Sequence, residues 1–180
     1  MARRQLILVL ALAGAALAVG APVLALASSG ASHASAELRD AGGVVVGWAD
    51  FTEDASGRLH VNVHVKGISE GLHGIHIHAV GACSPDFLAA GGHHNPLGAA
   101  HGLDSPAGAH AGDLPNLVVN EAGVGHLDGT SDRASLSNGP TTVFDADGSA
   151  LIIHAGPDDQ VTNPTGNSGG RIACGVIIAD

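Results

Sequence analysis

After residue 36 the hydrophobic residues come in short runs, and no long stretch repeats them at the 3.6-residue period of a helix. The runs are rich in Val, Ile and Leu and are bounded by turn-forming residues, for example at 54–57 and 145–148. This pattern predicts an all-β protein whose eight short strands form an antiparallel barrel or sandwich. The predicted strands are residues 44–51, 59–65, 74–80, 117–120, 124–127, 142–144, 150–154 and 171–178.

Two long stretches, 81–115 and 155–170, have no strand pattern. Connections of this length in a compact domain are usually functional or disordered. The first is rich in Gly, Pro, Asn and Ala, so it cannot bury enough apolar surface to order itself. We therefore expect a bound metal and a disulfide to order it, and we expect both loops to be functional.

The amino-terminal segment differs in character from the rest of the chain. Arg3 and Arg4 precede an apolar run at 6–19, and residues 25–27 have the small-residue spacing of a cleavage site. Residues 1–27 are therefore predicted to be a secretory signal peptide. An uncleaved membrane anchor is the alternative, because the apolar stretch is long enough to span a bilayer.

The predicted mature chain consists of a flexible leader at 28–36, which is small, polar and unpatterned, and one domain at 37–180. Without Arg3 and Arg4 it has five basic and 17 acidic residues, a formal charge of −12. This charge disfavours nucleic acid and anionic membranes as partners. We expect an exported protein of the periplasm, cell envelope or extracellular space, with no stable membrane association after cleavage.

Cys83 and Cys174 are the two cysteines of the chain. In an exported protein two cysteines are most simply a pair, with free thiols as the alternative. Their bridge would close a loop of 91 residues. In the loop-entropy treatment this constraint contributes at most about 4 to 5 kcal/mol of stability.

Seven residues stand out as candidate metal ligands, and their number suits two metal ions that share a ligand. His76 and His78 are two apart on a predicted strand, so both side chains leave the same face and can reach one ion. His154 ends another predicted strand and could join them. Imidazoles without a thiolate suit copper. The seven are His76, His78, His93, His101, His110, Asp113 and His154.

A second group of ligands lies on the first long loop. His101, His110 and Asp113 are spaced by nine and three residues and offer two nitrogens and one oxygen. This donor set suits zinc.

Four motifs surround these residues: Gly-Ile-His-Ile-His at 74–78, Gly-Gly-His-His-Asn-Pro-Leu at 91–97, His-Ala-Gly-Asp-Leu at 110–114 and Gly-Asn-Ser-Gly-Gly-Arg-Ile-Ala-Cys-Gly-Val-Ile at 166–177. Together they resemble the copper/zinc superoxide dismutase family from about residue 47 to the carboxyl terminus. The resemblance implies a Greek-key barrel. It also implies copper and zinc as cofactors and the conversion of superoxide to dioxygen and hydrogen peroxide.

The resemblance assigns each ligand to a metal. Its copper set is His76, His78, His93 and His154, and its zinc set is His93, His101, His110 and Asp113. His93 would bridge the two ions. The neighbouring His94 is a rival by chemistry alone, and alignment on the Asn-Pro-Leu motif selects His93.

The resemblance also implies two supporting roles. Asp158 would accept hydrogen bonds from one copper histidine and one zinc histidine, with the adjacent Asp159 as a rival. Arg171 would dock the superoxide anion beside copper, so Arg171 and His93 are the expected catalytic residues. A surface arginine at a strand edge is the alternative for Arg171.

Other function classes are less consistent with the chain. A metallohydrolase normally needs an open zinc site with a nearby carboxylate base, yet no Glu lies between Glu70 and Glu121. An exported copper or zinc carrier without turnover is harder to exclude, because it would use the same ligands. The oligomeric state stays open between a single chain and a homodimer.

Overall fold

The computed structural model describes residues 32–180, and every strand pairing within them is antiparallel. The predicted all-β antiparallel class is confirmed. Within the described residues there are ten strands and one short 3₁₀ turn, Phe87–Ala90. The strands are β1 His33–Asp40, β2 Val45–Glu53, β3 Leu59–Lys66, β4 Gly71–His73, β5 Ile75–His78, β6 Leu117–Val119, β7 Val124–Ser131, β8 Ala150–His154, β9 Arg171–Val176 and β10 Ile178–Ala179.

The strand order explains why the sheet curls into a nearly closed barrel. Across the sheet it is β4, β6, β7, β3, β2, β1, β9, β8, β5, with β10 paired to β1. Strands β4 and β5 end this order at opposite edges, yet only Gly74 separates them in the chain. The two edges must therefore meet. The chain also leaves β3 for β4 and returns later to pair β7 with β3, as in a Greek key.

Alternating side chains build the core. In β3, Leu59, Val61 and Val63 are buried, whereas His60 and His64 are exposed on the outer face. This alternation is expected for an antiparallel strand with one face on the core. The buried residues of the neighbouring strands join β3 in one apolar cluster inside the barrel.

The predicted leader is partly wrong. Its residues 33–36 lie in β1, where Ala34 and Ala36 are almost fully buried. Their small side chains do not predict a strand, but β1 pairs with β2 on one side and with β9 and β10 on the other. Pairing with these neighbours supplies the order that the local sequence lacks. The predicted signal peptide, 1–27, and residues 28–31 lie outside the described residues.

The predicted strand at 142–144 is also wrong. These residues form turns with one isolated bridge, between Ser135 and Thr142, and Val143 is a fully buried core residue. The Glu53 carboxylate holds the preceding segment by accepting hydrogen bonds from the backbone N–H groups of Leu136 and Ser137. Val143 is tied to this segment by a hydrogen bond of 2.9 Å from its N–H to the Ser135 carbonyl, so it is buried without belonging to a strand.

The disulfide between Cys83 and Cys174 is confirmed, with 5.8 Å between the two α carbons. It ties the first long loop to β9, the strand whose first residue is Arg171. The loop and the strand are therefore covalently joined at this point. Within residues 32–180, no helix is both long enough and apolar enough to cross a membrane.

Candidate metal centre

Strands β5 and β8 provide the framework of the centre. Antiparallel pairing places His76 opposite Ile152, and the His154 N–H bonds to the Gly74 carbonyl at 2.8 Å. Ile75 and Ile77 belong to the core cluster, all four residues of β5 are buried, and the first loop pairs with the edge of β5 through isolated bridges from Asp113 to His76 and from His93 to His78. Both faces of β5 are therefore buried, although its alternation of isoleucine and histidine is the pattern of a strand with one face exposed to solvent.

The first group of side chains is the four-histidine cluster, whose ligand atoms all lie within 4.8 Å of one another. One nitrogen of each ring is buried and has no hydrogen-bond partner. A buried unpaired polar atom costs about 1 to 3 kcal/mol, so four that converge need a common partner. These atoms are His76 Nδ1, His78 Nε2, His93 Nε2 and His154 Nε2.

The other nitrogen of three of these rings donates a hydrogen bond. His76 Nε2 donates to Asp158 at 2.6 Å, His78 Nδ1 to the Gly91 carbonyl at 2.9 Å, and His154 Nδ1 to the Gly169 carbonyl at 3.1 Å. A neutral imidazole that donates from one nitrogen has a lone pair on the other. The cluster thus presents lone pairs to a common point, and such imidazole donors fit copper.

The second group, the mixed cluster, is formed by His93, His101, His110 and Asp113, which are all buried. The Nδ1 atoms of His93 and His101 each lie 3.0 Å from Asp113 Oδ1. His110 Nδ1 lies 3.4 Å from the same oxygen and 3.3 Å from His93 Nδ1. Ligands at zinc distances of 2.0–2.1 Å stand about 3.3 Å apart in a tetrahedron, so the spacing fits zinc.

One ring belongs to both clusters. His93 directs Nε2 into the four-histidine cluster and Nδ1 into the mixed cluster. His94, the adjacent rival, points elsewhere: its Nε2 lies 3.2 Å from the Thr141 carbonyl oxygen.

Asp158 connects the two clusters a second time. One carboxylate oxygen accepts from His76 Nε2 at 2.6 Å, and the other accepts from His101 Nε2 at 3.0 Å. Asn116 holds the Asp158 backbone with two hydrogen bonds of 2.8 Å. A Cβ at Gly166, where φ is +61°, would stand 1.8 Å from an Asp158 oxygen, so only glycine fits there.

Asp159 has a different environment from Asp158. Its exposed carboxylate accepts hydrogen bonds from the backbone N–H groups of Val161 and Thr162 and from the side-chain amide of Asn167. Asp159 therefore orders the second loop and contacts neither cluster.

Arg171 lies at the edge of the four-histidine cluster. Its two terminal nitrogens donate to the carbonyls of Phe87 and Gly91, both at 2.5 Å. Gly91 accepts from His78 as well, so one carbonyl links the guanidinium to the cluster. A cavity of about 750 Å³ lies beside the disulfide, and Arg171 is the only residue of the predicted catalytic and metal sets that lines it.

Burial sets the charge states of the centre. It lowers the pKa of His76 to about 3, of His78 to about 2 and of His154 to about 4, against opposing hydrogen bonds. Burial alone would raise the pKa of Asp113, but hydrogen bonds from His93 and the Gly102 N–H hold it well below its usual range. Neutral imidazoles and an ionised carboxylate are the forms that bind metal.

Sequence reasoning missed several supporting groups. His73 is buried, and its Nδ1 lies 2.7 Å from the His154 carbonyl while its Nε2 lies 2.9 Å from the Ser69 carbonyl. It therefore holds the backbone of His154. The Gly91 and Gly169 carbonyls were missed too, since a backbone acceptor leaves no side-chain signal in a sequence.

Comparison with known proteins gives a consistent result. The copper/zinc superoxide dismutase (SODC) family matches residues 45–177. The chain is 41% identical over 176 residues to the Cu-Zn superoxide dismutase of Deinococcus radiodurans, covering 91% of this chain and 93% of that protein. It is 42% identical over 147 residues to Cu-Zn superoxide dismutase 2 of Aquifex aeolicus, covering 80% of this chain and 85% of that protein.

A solved structure is also similar. The crystal structure of a mutant of a SOD-like protein from Bacillus subtilis has a TM-score of 0.75 and 41% identity, covering 79% of this chain and 95% of that chain. Matches in sequence and fold extend over most of the chain. The protein therefore belongs to the copper/zinc superoxide dismutase family.

Proposed function

We propose that this protein is a superoxide dismutase that converts two superoxide anions to dioxygen and hydrogen peroxide. Copper is assigned to the four-histidine cluster and zinc to the mixed cluster. The observation that carries the proposal is the His93 ring, which directs one nitrogen into each cluster. A ring shared by both clusters would couple a redox-active copper ion to a zinc ion that does not change its oxidation state. A site that only stores metal does not need that coupling.

When bound, copper supplies one-electron redox chemistry, and zinc supplies a fixed positive charge. The chain supplies the proton site. His93 Nε2 can take up a proton and deliver it to the peroxide product, while Nδ1 stays in the mixed cluster. Asp113 and the other residues of that cluster hold the ring in position throughout.

Arg171 provides the anion dock in this proposal. Two of its five N–H groups are held by backbone carbonyls, which leaves the others to bind a small anion. A local cation is needed because the chain has a formal charge of −10. The disulfide at Cys174, three residues along β9, keeps the guanidinium beside the first loop.

Asp158 is assigned a positioning role. It holds His76 in the four-histidine cluster and His101 in the mixed cluster through their Nε2 atoms. Such contacts fix the tautomer and orientation of a ligating ring. They keep the ring nitrogens that face the metals free of protons.

Export of the protein is part of the proposal. The disulfide is stable in an oxidising compartment such as the periplasm, the cell envelope or the extracellular space. Bacterial relatives of the same family support this location.

A metal carrier without turnover is the second candidate, because one relative is named superoxide dismutase-like protein in Bacillus subtilis. A carrier needs the ligands but not a fixed cation beside them. The complete ligand set together with Arg171 therefore favours the enzyme.

Superoxide consumption by protein loaded with copper and zinc separates the two candidates. The dismutase should consume superoxide catalytically and bind one copper and one zinc per chain in the buried clusters, and His154→Ala should abolish most of the activity. The matched control is His60→Ala, an exposed histidine on β3, which should keep full activity. Full metal content without superoxide consumption would establish the carrier instead.

A further inference from the structure

A second pair of histidines lies outside the metal centre, on the outer face of the barrel. His64 on β3 and His126 on β7 are directly opposite each other in the strand register. Both are exposed, and their rings stack with centroids 4.4 Å apart and planes tilted by 28°. The side chains of the two metal clusters, in contrast, are all buried. The pair is therefore distinct from the buried clusters.

The hydrogen bonds of the pair leave ring nitrogens available. His126 Nδ1 donates to the Val63 carbonyl at 3.1 Å, so its Nε2 bears the lone pair. An imidazole fixed to a backbone carbonyl by one nitrogen is oriented as metal-ligating histidines are. Among the interactions of the described residues, the His64 side chain has the ring contact with His126 and no hydrogen bond. Its ring can therefore turn to share an ion.

The surroundings of the pair favour a cation. Asp128 lies two residues from His126 on the same outer face, and the chain as a whole has a formal charge of −10. Lys66, two residues from His64, is the opposing charge on β3. Water would complete the coordination, since the face is open to solvent.

We propose that His64 and His126 form a second, solvent-exposed site for Cu²⁺ or Zn²⁺. Both ions prefer imidazole, and two rings that face each other across neighbouring strands can bind one ion together. Binding by the second ring is then intramolecular, which strengthens the site over a single surface histidine. The inference does not depend on the proposed dismutase activity.

The structure places a reporter beside this site. Trp48 on β2 is directly opposite His64 in the register, is 51% exposed and is the only tryptophan of the chain. Bound Cu²⁺ should quench its fluorescence. Zn²⁺, which has a filled d shell, should compete for the site without strong quenching.

The experiment is a Cu²⁺ titration of the full chain after the buried centre has been loaded with copper and zinc. Quenching should saturate at one added Cu²⁺ per chain, and excess Zn²⁺ should shift the titration curve to higher Cu²⁺ concentrations. His64→Gln and His126→Gln should each weaken the apparent affinity at least about ten-fold, because each leaves a single imidazole. Neither change should alter the far-UV circular dichroism, since both side chains are on the outer face.

The matched control is His60→Gln. His60 is exposed on the same face of β3, but its register partner is Thr130, and it should leave the titration unchanged. Quenching that never saturates, or that is the same in the His64 and His126 variants as in the parent, would overturn the proposal. So would an equal loss of affinity in His60→Gln, because it would indicate general binding to surface histidines.

Discussion

The first loop, residues 81–115, and the sheet of β1, β2, β3 and β7 are ordered by different interactions. In the sheet, inward-facing positions alternate with outward-facing ones, and the inward-facing apolar side chains of all four strands belong to one core cluster. In the loop, Leu114 is the only large aliphatic side chain that is buried, whereas Leu88 and Leu97 are 72% and 70% exposed. Buried histidines, an aspartate and the disulfide replace the missing apolar contacts. The comparison teaches that one chain can combine a hydrophobic framework with a loop ordered by its ligands.

The largest expected effect is that of His93→Ala, which removes the ring shared by both clusters. Activity should fall by more than about 100-fold, because loss of a direct ligand exceeds the 10- to 100-fold cost of losing an outer partner. Hydrogen exchange should speed up at residues 100–113 and stay unchanged in β3. Faster exchange in β3 would contradict the separation of loop and sheet.

Removal of the disulfide tests the other support of the loop. The double variant Cys83→Ser and Cys174→Ser should lower the free energy of unfolding by up to about 4 kcal/mol, since it releases a loop of 91 residues. Urea unfolding of the metal-loaded protein measures this change. Activity should fall as well, because the first loop positions the carbonyls that hold Arg171. An unchanged midpoint would mean that the metals alone order the loop.

Asp158→Asn should reduce activity or metal affinity by about 10- to 100-fold, the usual cost of losing an outer partner of ligating histidines. The adjacent Asp159→Asn is the matched control, since the Asp159 carboxylate contacts only the second loop. It should affect activity much less. Equal losses would show that loop order, and not the contacts to His76 and His101, explains the effect.

Acid should destabilise the metal-free protein through the buried rings. The folded pKa values of about 3 for His76 and about 4 for His154 lie below the value of about 6.5 expected when the chain is unfolded. Between these limits the unfolded chain binds more protons, so the free energy of unfolding should decrease as pH falls below about 6.5. Urea unfolding at several pH values checks this slope. The exposed His60→Gln variant should show the same slope, and a flat profile would contradict the prediction.

The smallest expected effect is that of salt on activity. Asp158 and Asp159 are the only charged residues of the second loop, 155–170, so long-range attraction of superoxide should be weak. Screening also relieves repulsion between the anion and a negatively charged chain. Initial rates from low to high ionic strength should therefore change little. A steep fall would show that Arg171 or other cations steer the substrate.

The sequence predicted strand regions such as β3, whose apolar residues alternate, and β8, which is a continuous apolar run, because both patterns are local properties of the chain. It did not predict β1 from residue 33, nor the turn at 142–144. Ala34 depends on pairing with distant strands, and Val143 is hydrogen-bonded to Ser135 in a segment whose backbone is bound by the distant Glu53 carboxylate. Likewise, the motifs located the candidate ligands, but they did not show which ring nitrogens lack a partner.

By itself the amino-acid sequence determined the all-β class, the identity of the cysteine pair and the types of candidate ligands. Residue chemistry left Asp159 and His94 as rivals of Asp158 and His93, the family resemblance favoured the latter two, and the tertiary structure directs Asp158 to the clusters and turns His94 away. Tertiary structure alone decided that His64 meets His126. The physical reason is that periodicity and residue type are local, whereas hydrogen-bond partners across a barrel depend on strand order and register. Neighbours in the chain such as Asp158 and Asp159 differ only in the direction that the folded backbone gives their side chains.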